Sequence, residues 1–142
     1  MFTANYTYHR VKSFQEAVAA LQNLGPEAKL LAGGQTLIPM MKLRLLRPAH
    51  LVDLGRISDG NAVTITDESV QIGALASHTA VSRSEAAYQF PVIADCALGI
   101  ADVQVRSMGT VGGSLAEADP CSCWPTLLIA LGAEVICLGP EG

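Results

Sequence analysis

The sequence contains little charge, and its few charges do not favour nucleic acid. Only 15% of the 142 residues are charged, and 13 acidic residues outnumber nine basic ones, for a net charge of −4. Because polyanions are bound by clustered cations, this balance excludes non-specific nucleic-acid binding. No apolar run approaches the roughly 18 residues that a membrane-spanning helix needs. The first residues also lack a basic stretch followed by an apolar core, so we expect a cytoplasmic protein without a secretory signal.

The four cysteines lack the spacing of a metal site. Cys121 and Cys123 form a C-x-C pair rather than C-x-x-C, Cys96 and Cys137 lie apart, and no histidine is near them. Zinc and iron–sulfur sites usually present four ligands in paired spacing. We therefore predict unpaired thiols and no metal ligands.

Half of the residues are hydrophobic, which is enough to bury a core. The length suits one ordinary domain or two small subdomains. This apolar content is high for a lone domain with so little charge. It predicts that some apolar surface packs against a partner or a further part of the chain.

The most informative stretch, here called the first glycine segment, joins a predicted strand to a predicted helix. Its apolar start predicts a short buried strand over residues 29–32, and the two glycines that follow allow a tight turn. A helix over residues 36–46 would then aim its free N–H groups at the turn, with a threonine as N-cap. The segment consists of Lys29, Leu30, Leu31, Ala32, Gly33, Gly34, Gln35 and Thr36.

Two interpretations of the first glycine segment are open from its residues alone. It is an ordinary strand-to-helix turn, or it is a binding site for a phosphate. The pair Gly33-Gly34 matches neither the GxGxxG nor the GxxxxGK[ST] pattern. The absence of a Walker lysine argues against a phosphoryl donor as the ligand.

Local patterns predict most of the remaining elements of a first subdomain. Ser13 and Glu16 form a capping box, and apolar residues on one face continue to Gly25-Pro26, which predicts a helix over 13–24. A strand over 51–54 follows the predicted helix 36–46. Strand, helix and strand together predict a compact βαβ unit, and residues 55–60 mark its end.

The second half has a different pattern. Residues 62–66 and 70–74 predict a β-hairpin, 82–85 a second capping box, and 91–99 a helix with proline in its first turn. Residues 125–131 predict another helix and 133–138 a strand. We assign no chemistry to His78, and we expect Glu85, Asp95 and Asp102 to be surface carboxylates.

A second glycine-rich stretch lies within residues 100–124, which we predict to be a long functional loop. Gly109, Gly112 and Gly113 permit close backbone approach, and Thr110 and Ser114 add hydroxyl donors. Two glycine segments with neighbouring hydroxyl groups could hold a long anionic ligand at two points.

The pairing of these two motifs resembles a known family. Residues 31–44 (LAGGQTLIPMMKLR) and 104–116 (QVRSMGTVGGSLA) closely resemble the FAD-binding medium subunit of the molybdenum hydroxylases. The resemblance is greatest to the carbon monoxide dehydrogenase type, and xanthine dehydrogenase carries a related domain. It covers essentially the whole chain, in order, as the N-terminal half of a typical member.

The resemblance implies an α+β FAD-binding fold of two subdomains: a small βαβ unit, here residues 1–57, and a larger mixed or antiparallel sheet with helices, here residues 58–142 and truncated at the C-terminus. It implies FAD as cofactor. The family's FAD accepts electrons from [2Fe–2S] clusters on a small subunit, after chemistry on a molybdopterin-binding large subunit, and passes them to an external acceptor. Because the flavin performs the redox step, no acid–base pair is expected in this chain.

The resemblance also assigns cofactor-binding residues. The two glycine segments together hold the FAD diphosphate, and an apolar residue lies beside the flavin. In family members a histidine follows the second segment, and later an aspartate contacts the adenosine ribose; here Glu117 and Cys123 stand at those positions. Besides the first glycine segment, the implied site residues are Ile100, Thr110, Val111, Gly112, Gly113, Ser114 and Cys123.

The replacement of an aspartate by Cys123 leaves a second function open. A thiol is a weak hydrogen-bonding group, so the ribose contact is expected to weaken, although Asp119 lies close by in sequence. The alternative is a flavin-free fragment that serves as a structural or subunit-interaction module of the same complex.

Overall fold

The computed structural model describes residues 2–142, which form two compact units. The first unit comprises the described residues up to Ser58 together with Ile136–Gly142, and the second comprises Asp59–Val135. The fold is a mixture of α-helices and β-strands with one small parallel sheet.

The first unit contains a three-stranded parallel sheet in the order β1-β3-β2, with β1 at Thr7–Arg10, β2 at Ala28–Leu31 and β3 at His50–Asp53. The strands predicted over 29–32 and 51–54 are confirmed as β2 and β3, each beginning one residue earlier than expected. The expectation that residues 29–32 are buried is wrong: Lys29 and Leu30 are exposed, because β2 is an edge strand of the sheet. Strand β1 was not predicted, because its residues are mostly exposed and it pairs with β3, which is distant in sequence.

Helix α1, Phe14–Leu24, begins and ends as its sequence predicts. Ser13 Oγ accepts a hydrogen bond from the Glu16 N–H at 3.1 Å, while Glu16 Oε2 accepts one from the Lys12 N–H at 2.7 Å. At the other end, Gly25 has φ +73° and donates its N–H to Leu21 O. This helix packs on β2 and β3.

Helix α2, Leu37–Lys42, is shorter than predicted. We expected it to continue to residue 46, but Arg44 adopts a left-handed conformation with φ +60°. The Leu45 N–H donates to Met40 O at 2.9 Å and the Arg44 N–H to Met41 O at 3.0 Å. These two bonds form a Schellman motif with arginine at the position that glycine usually occupies, so no glycine marks the end of the helix.

The second unit contains a two-stranded antiparallel hairpin and six helices, whereas we expected a larger mixed or antiparallel sheet. Strands β4 (Val63–Ile65) and β5 (Val70–Ile72) confirm the predicted hairpin. A short 3₁₀ helix, Asp59–Asn61, precedes it. The helices are α3 His78–Ser82, α4 Glu85–Gln89, α5 Pro91–Gly99, α6 Val103–Met108, α7 Val111–Glu117 and α8 Cys123–Ala130.

The prediction of a long loop over residues 100–124 is wrong. Helices α6 and α7 and the start of α8 occupy most of it, because the glycines that argued against a helix lie in the first turn of α7. The second capping box is also wrong. Ser82 ends α3, and Ser84 is the N-cap of α4, accepting a bond from the Ala87 N–H.

Helix 91–99 is confirmed as α5, and the helix predicted over 125–131 is α8, which begins two residues earlier. Residues 133–138 form no strand. In the described part of the chain no other strand pairs with them, and a strand needs a partner for its ladder of hydrogen bonds.

Each unit has its own set of buried side chains. In the second unit α3 packs on α5 and α6, and α5 packs on α8, around a fully buried Trp124. The core of the second unit consists of Ala76, Val81, Ala86, Ala87, Ile93, Ala97, Val111 and Trp124.

Candidate cofactor-binding site

The first glycine segment lies at the carboxyl end of β2, the edge at which parallel sheets usually bind ligands. Its strand residues Lys29 and Leu30 are exposed, and Leu31 and Ala32 are partly exposed. Leu31 O accepts a hydrogen bond from the Leu54 N–H at 2.9 Å, which fixes the end of β2 against β3.

Beyond Ala32 the main-chain donors of the segment are unpaired. Within residues 2–142, none of the N–H groups of Gly33, Gly34, Gln35 and Thr36 donates a hydrogen bond. All four residues are at least partly exposed, so these groups are open to a ligand. Consecutive free N–H groups are a common way of binding a phosphate oxygen.

The side chains of the segment leave these donors free. The Gln35 Nε2 group donates to Gly33 O at 3.1 Å, and Thr36, although it occupies the N-cap position, makes no capping hydrogen bond. The expected capping by Thr36 is therefore wrong. Since α2 has only six residues, its dipole adds little, and the N–H groups themselves are what the segment offers an anion.

Gly34 is required by both its backbone conformation and its surroundings. Its φ is +70°, and Gly34 O accepts the first helical hydrogen bond, from the Ile38 N–H at 3.0 Å. A Cβ atom at this position would lie 2.8 Å from Ile38 Cδ1 and 3.1 Å from Leu31 Cδ1. A side chain here would strain the turn and crowd both neighbours.

The second glycine segment, residues 110–114, differs, because its N–H groups from Val111 to Ser114 are already paired. Thr110 is the N-cap of α7, and its Oγ1 accepts from the Gly113 N–H at 3.1 Å. The Val111 N–H donates to Ala76 O, the Gly112 N–H to Ala74 O and the Ser114 N–H to Thr110 O. The N–H groups from Val111 to Ser114 are therefore not free to bind a ligand.

The glycines of α7 serve packing within the second unit. A Cβ atom on Gly112 would lie 2.7 Å from both the Cβ and the O of Ala74. On Gly113 it would lie 2.8 Å from Thr110 Oγ1, the capping atom. Val111 is 4% exposed and belongs to the core of the unit.

Three further predicted site residues lie in the second unit. Ser114 Oγ forms a short hydrogen bond with Ser122 Oγ, so the start of α7 is joined to the residue before α8. Cys123 is the exposed first residue of α8. Ile100 is partly buried against the core, between α5 and α6.

A buried polar pair in the same unit was not predicted from the sequence. Trp124 Nε1 donates to His78 Nδ1 at 3.0 Å, and burial lowers the pKa of His78. Burial, and to a smaller extent the nearby Cys123, raises the pKa of Cys96 to about 11. No local pattern indicated these contacts, because the pair is separated by 46 positions.

Comparison with known proteins identifies the class of protein. Residues 4–142 match the family described as FAD binding domain in molybdopterin dehydrogenase. The chain therefore belongs to this family, and the resemblance stated from the two motifs is confirmed. Within residues 2–142, no helix is both long enough and apolar enough to cross a bilayer.

Individual members of the family differ in how similar they are to this chain. The chain is 44% identical along its whole length to the carbon monoxide dehydrogenase medium chain of Afipia carboxidovorans, of which it covers 50%. It is 28% identical over 91% of its length to the xanthine dehydrogenase FAD-binding subunit of Escherichia coli O157:H7, covering 45% of that protein.

A solved structure agrees with these sequence comparisons. Carbon monoxide dehydrogenase from Hydrogenophaga pseudoflava, in a form that lacks the Mo-pyranopterin moiety of its molybdenum cofactor, matches with a TM-score of 0.97 at 43% identity. The match covers 100% of this chain and 50% of the other. The chain thus spans about half the length of the relatives it matches, and these relatives are oxidoreductase subunits.

Proposed function

We propose that this chain binds FAD as part of the medium subunit of a carbon monoxide dehydrogenase-like molybdenum hydroxylase. The observation that carries the proposal is the run of unpaired N–H groups at Gly33, Gly34, Gln35 and Thr36. The diphosphate of FAD carries negative oxygens that such groups bind well. Membership of an FAD-binding family supports the same ligand.

In this proposal the two glycine segments have different roles. The first binds the diphosphate through its main chain. The second contributes Thr110, Val111, Gly112, Gly113 and Ser114 as a rigid helix start, with Cys123 near the ribose and Ile100 beside the flavin. When bound, FAD supplies the redox chemistry, and this chain binds and orients it.

The proposed partners are the two subunits that would supply the flavin with electrons. A molybdopterin-binding large subunit would bind the substrate, and a small subunit would carry the [2Fe–2S] clusters that reduce the flavin. The flavin would then pass electrons to an external acceptor.

The proposal is tested by titrating the purified chain with FAD and following flavin absorbance and fluorescence. Gly34→Ala should weaken binding, because the new Cβ crowds Ile38 and strains the turn beside the free donors. Gly25→Ala is the matched control: Gly25 has a similar φ of +73°, lies in the same unit and has no atom within 4 Å of the added Cβ. Saturable binding that only Gly34→Ala weakens supports the proposal, and no binding by a folded chain contradicts it.

A flavin-free structural module is the second candidate. The paired N–H groups of the second glycine segment and the thiol at Cys123 favour it. A folded, colourless chain that binds the large or small subunit of a relative's complex would support this function and not the first.

A further inference from the structure

The connection between α5 and α6 is short and strained. It consists of Ile100, Ala101 and Asp102, and Ala101 has φ +38°, outside the region that alanine prefers. Strained positions persist where the surrounding structure holds them in place, and they cluster at ligand sites. Something must therefore hold this connection.

Arg106 on α6 holds it. Arg106 Nη1 donates to Ile100 O at 2.8 Å and to Ala101 O at 2.7 Å. Hydrogen bonds from a charged donor are stronger than neutral ones. The guanidinium also lies close to the carboxyl end of α5, where the helix dipole favours a positive charge.

The first turn of α6 also makes hydrogen bonds to this connection. Asp102 Oδ1 accepts from the Val105 N–H at 2.8 Å, and Asp102 O accepts from the Arg106 N–H at 3.0 Å. Residues of α6 therefore donate hydrogen bonds to all three residues of the connection that precedes this helix. With its carbonyl fixed, Ile100 keeps its side chain against the core of the second unit.

We propose that Arg106 is a positioning residue for the flavin end of the FAD site, an inference that rests on the proposed function. Arg106 fixes the strained backbone at Ile100 and Ala101, and this backbone sets where the Ile100 side chain meets the flavin. Arg106 itself need not touch FAD. Loss of the two hydrogen bonds lets Ala101 relax to a negative φ, which moves Ile100.

The test is an FAD titration of the full chain in four forms: wild type, Arg106→Met, Arg106→Lys and Arg83→Met. Methionine keeps the length of the side chain but has no donor. Lysine can restore both bonds, because a single nitrogen, Nη1, makes both of them in the structure. Arg83 is the control: it is an exposed arginine at the end of α3 in the same unit.

We expect Arg106→Met to lower FAD affinity about tenfold, because a site that is no longer pre-organised must be ordered when FAD binds. The absorbance envelope of the bound flavin should change as well. Arg106→Lys should restore most of the FAD affinity and of the wild-type flavin absorbance, and Arg83→Met should match the wild type in both.

Three results overturn the inference. If the wild type binds FAD and Arg106→Met binds it equally well with the same spectrum, only the inference fails. If Arg106→Met loses binding together with helical circular dichroism and lysine restores neither, Arg106 is structural. If the folded wild type does not bind FAD, the proposed function fails and the inference fails with it.

Discussion

The indole N–H of Trp124 donates to Nδ1 of His78 across 3.0 Å, and both side chains are buried, at 0% and 5% exposure. Nδ1 must be unprotonated to accept this bond, so His78 is neutral in the folded protein. The ring also lies against Gly109, where an added Cβ atom would be 2.8 Å from His78 Nε2.

The stability of the second unit should fall as His78 is forced to take a proton. Burial lowers the pKa of His78 below its ordinary value near 6.5, so the unfolded chain binds the proton more readily. The contribution of neutral His78 to the free energy of unfolding is therefore complete above about pH 6.5. It is lost as the pH falls from about 6.5 to the lowered pKa of His78 in the folded protein. Urea unfolding between neutral and mildly acidic pH measures this loss.

His78→Asn is the matched variant for this prediction. Its amide oxygen can accept the bond from Trp124 but does not titrate, so the fall in stability below about pH 6.5 should become shallower. If the stability of the wild type and of His78→Asn depends on pH in the same way, titratable groups other than His78 cause the loss of stability.

Gly112→Ala should destabilise the second unit by about 1–3 kcal/mol, because it overpacks a rigid contact with Ala74. Gly99→Ala should instead be neutral or stabilise by up to about 1 kcal/mol, since alanine favours a helix and no atom lies within 4 Å of the new Cβ. Urea unfolding of the two variants gives both values. Equal effects would show that the contact with Ala74 does not matter.

Arg44→Gly should stabilise the first unit by about 1 kcal/mol. Arginine pays a steric cost at φ +60° that glycine avoids, and the hydrogen bonds of the Schellman motif are kept. Arg47→Gly removes the same charge from a residue without a positive φ, so it controls for electrostatics. Thermal unfolding compares the two, and a loss of stability in Arg44→Gly would contradict the prediction.

Cys123→Asp should tighten FAD binding if Cys123 occupies the ribose position. A hydrogen bond to a carboxylate contributes about 1.5–3 kcal/mol, which corresponds to a roughly ten- to hundredfold lower Kd. Cys121→Asp adds the same charge two residues away, on a cysteine that is also exposed. If the two substitutions change FAD affinity equally, the effect is due to the added charge and not to a contact with the ribose.

Elements with local sequence patterns could be predicted, and those that depend on distant contacts could not. Ser13 and Gly25 delimit α1, and Pro91 begins α5, because each acts on its own turn of helix. Strand β1 pairs with β3, and α7 has a glycine at position 112 where Ala74 approaches it closely. Neither contact is visible in a short window of sequence.

The same distinction holds for the candidate site. The sequence indicated that Gly33 and Gly34 precede a helix and expose main-chain donors. It could not indicate that the donors around Gly112 and Gly113 are paired, because one of their acceptors, Ala74 O, belongs to a different part of the chain.

The position of Trp124 gives the second unit an optical signal of its own. It is the single tryptophan of the chain and is buried in the second unit, so its fluorescence reports the unfolding of that unit. The tyrosines do not separate the units in the same way, because Tyr6 and Tyr8 lie in the first unit and Tyr88 in the second. A denaturation experiment followed by Trp124 fluorescence can therefore measure whether FAD stabilises the second unit.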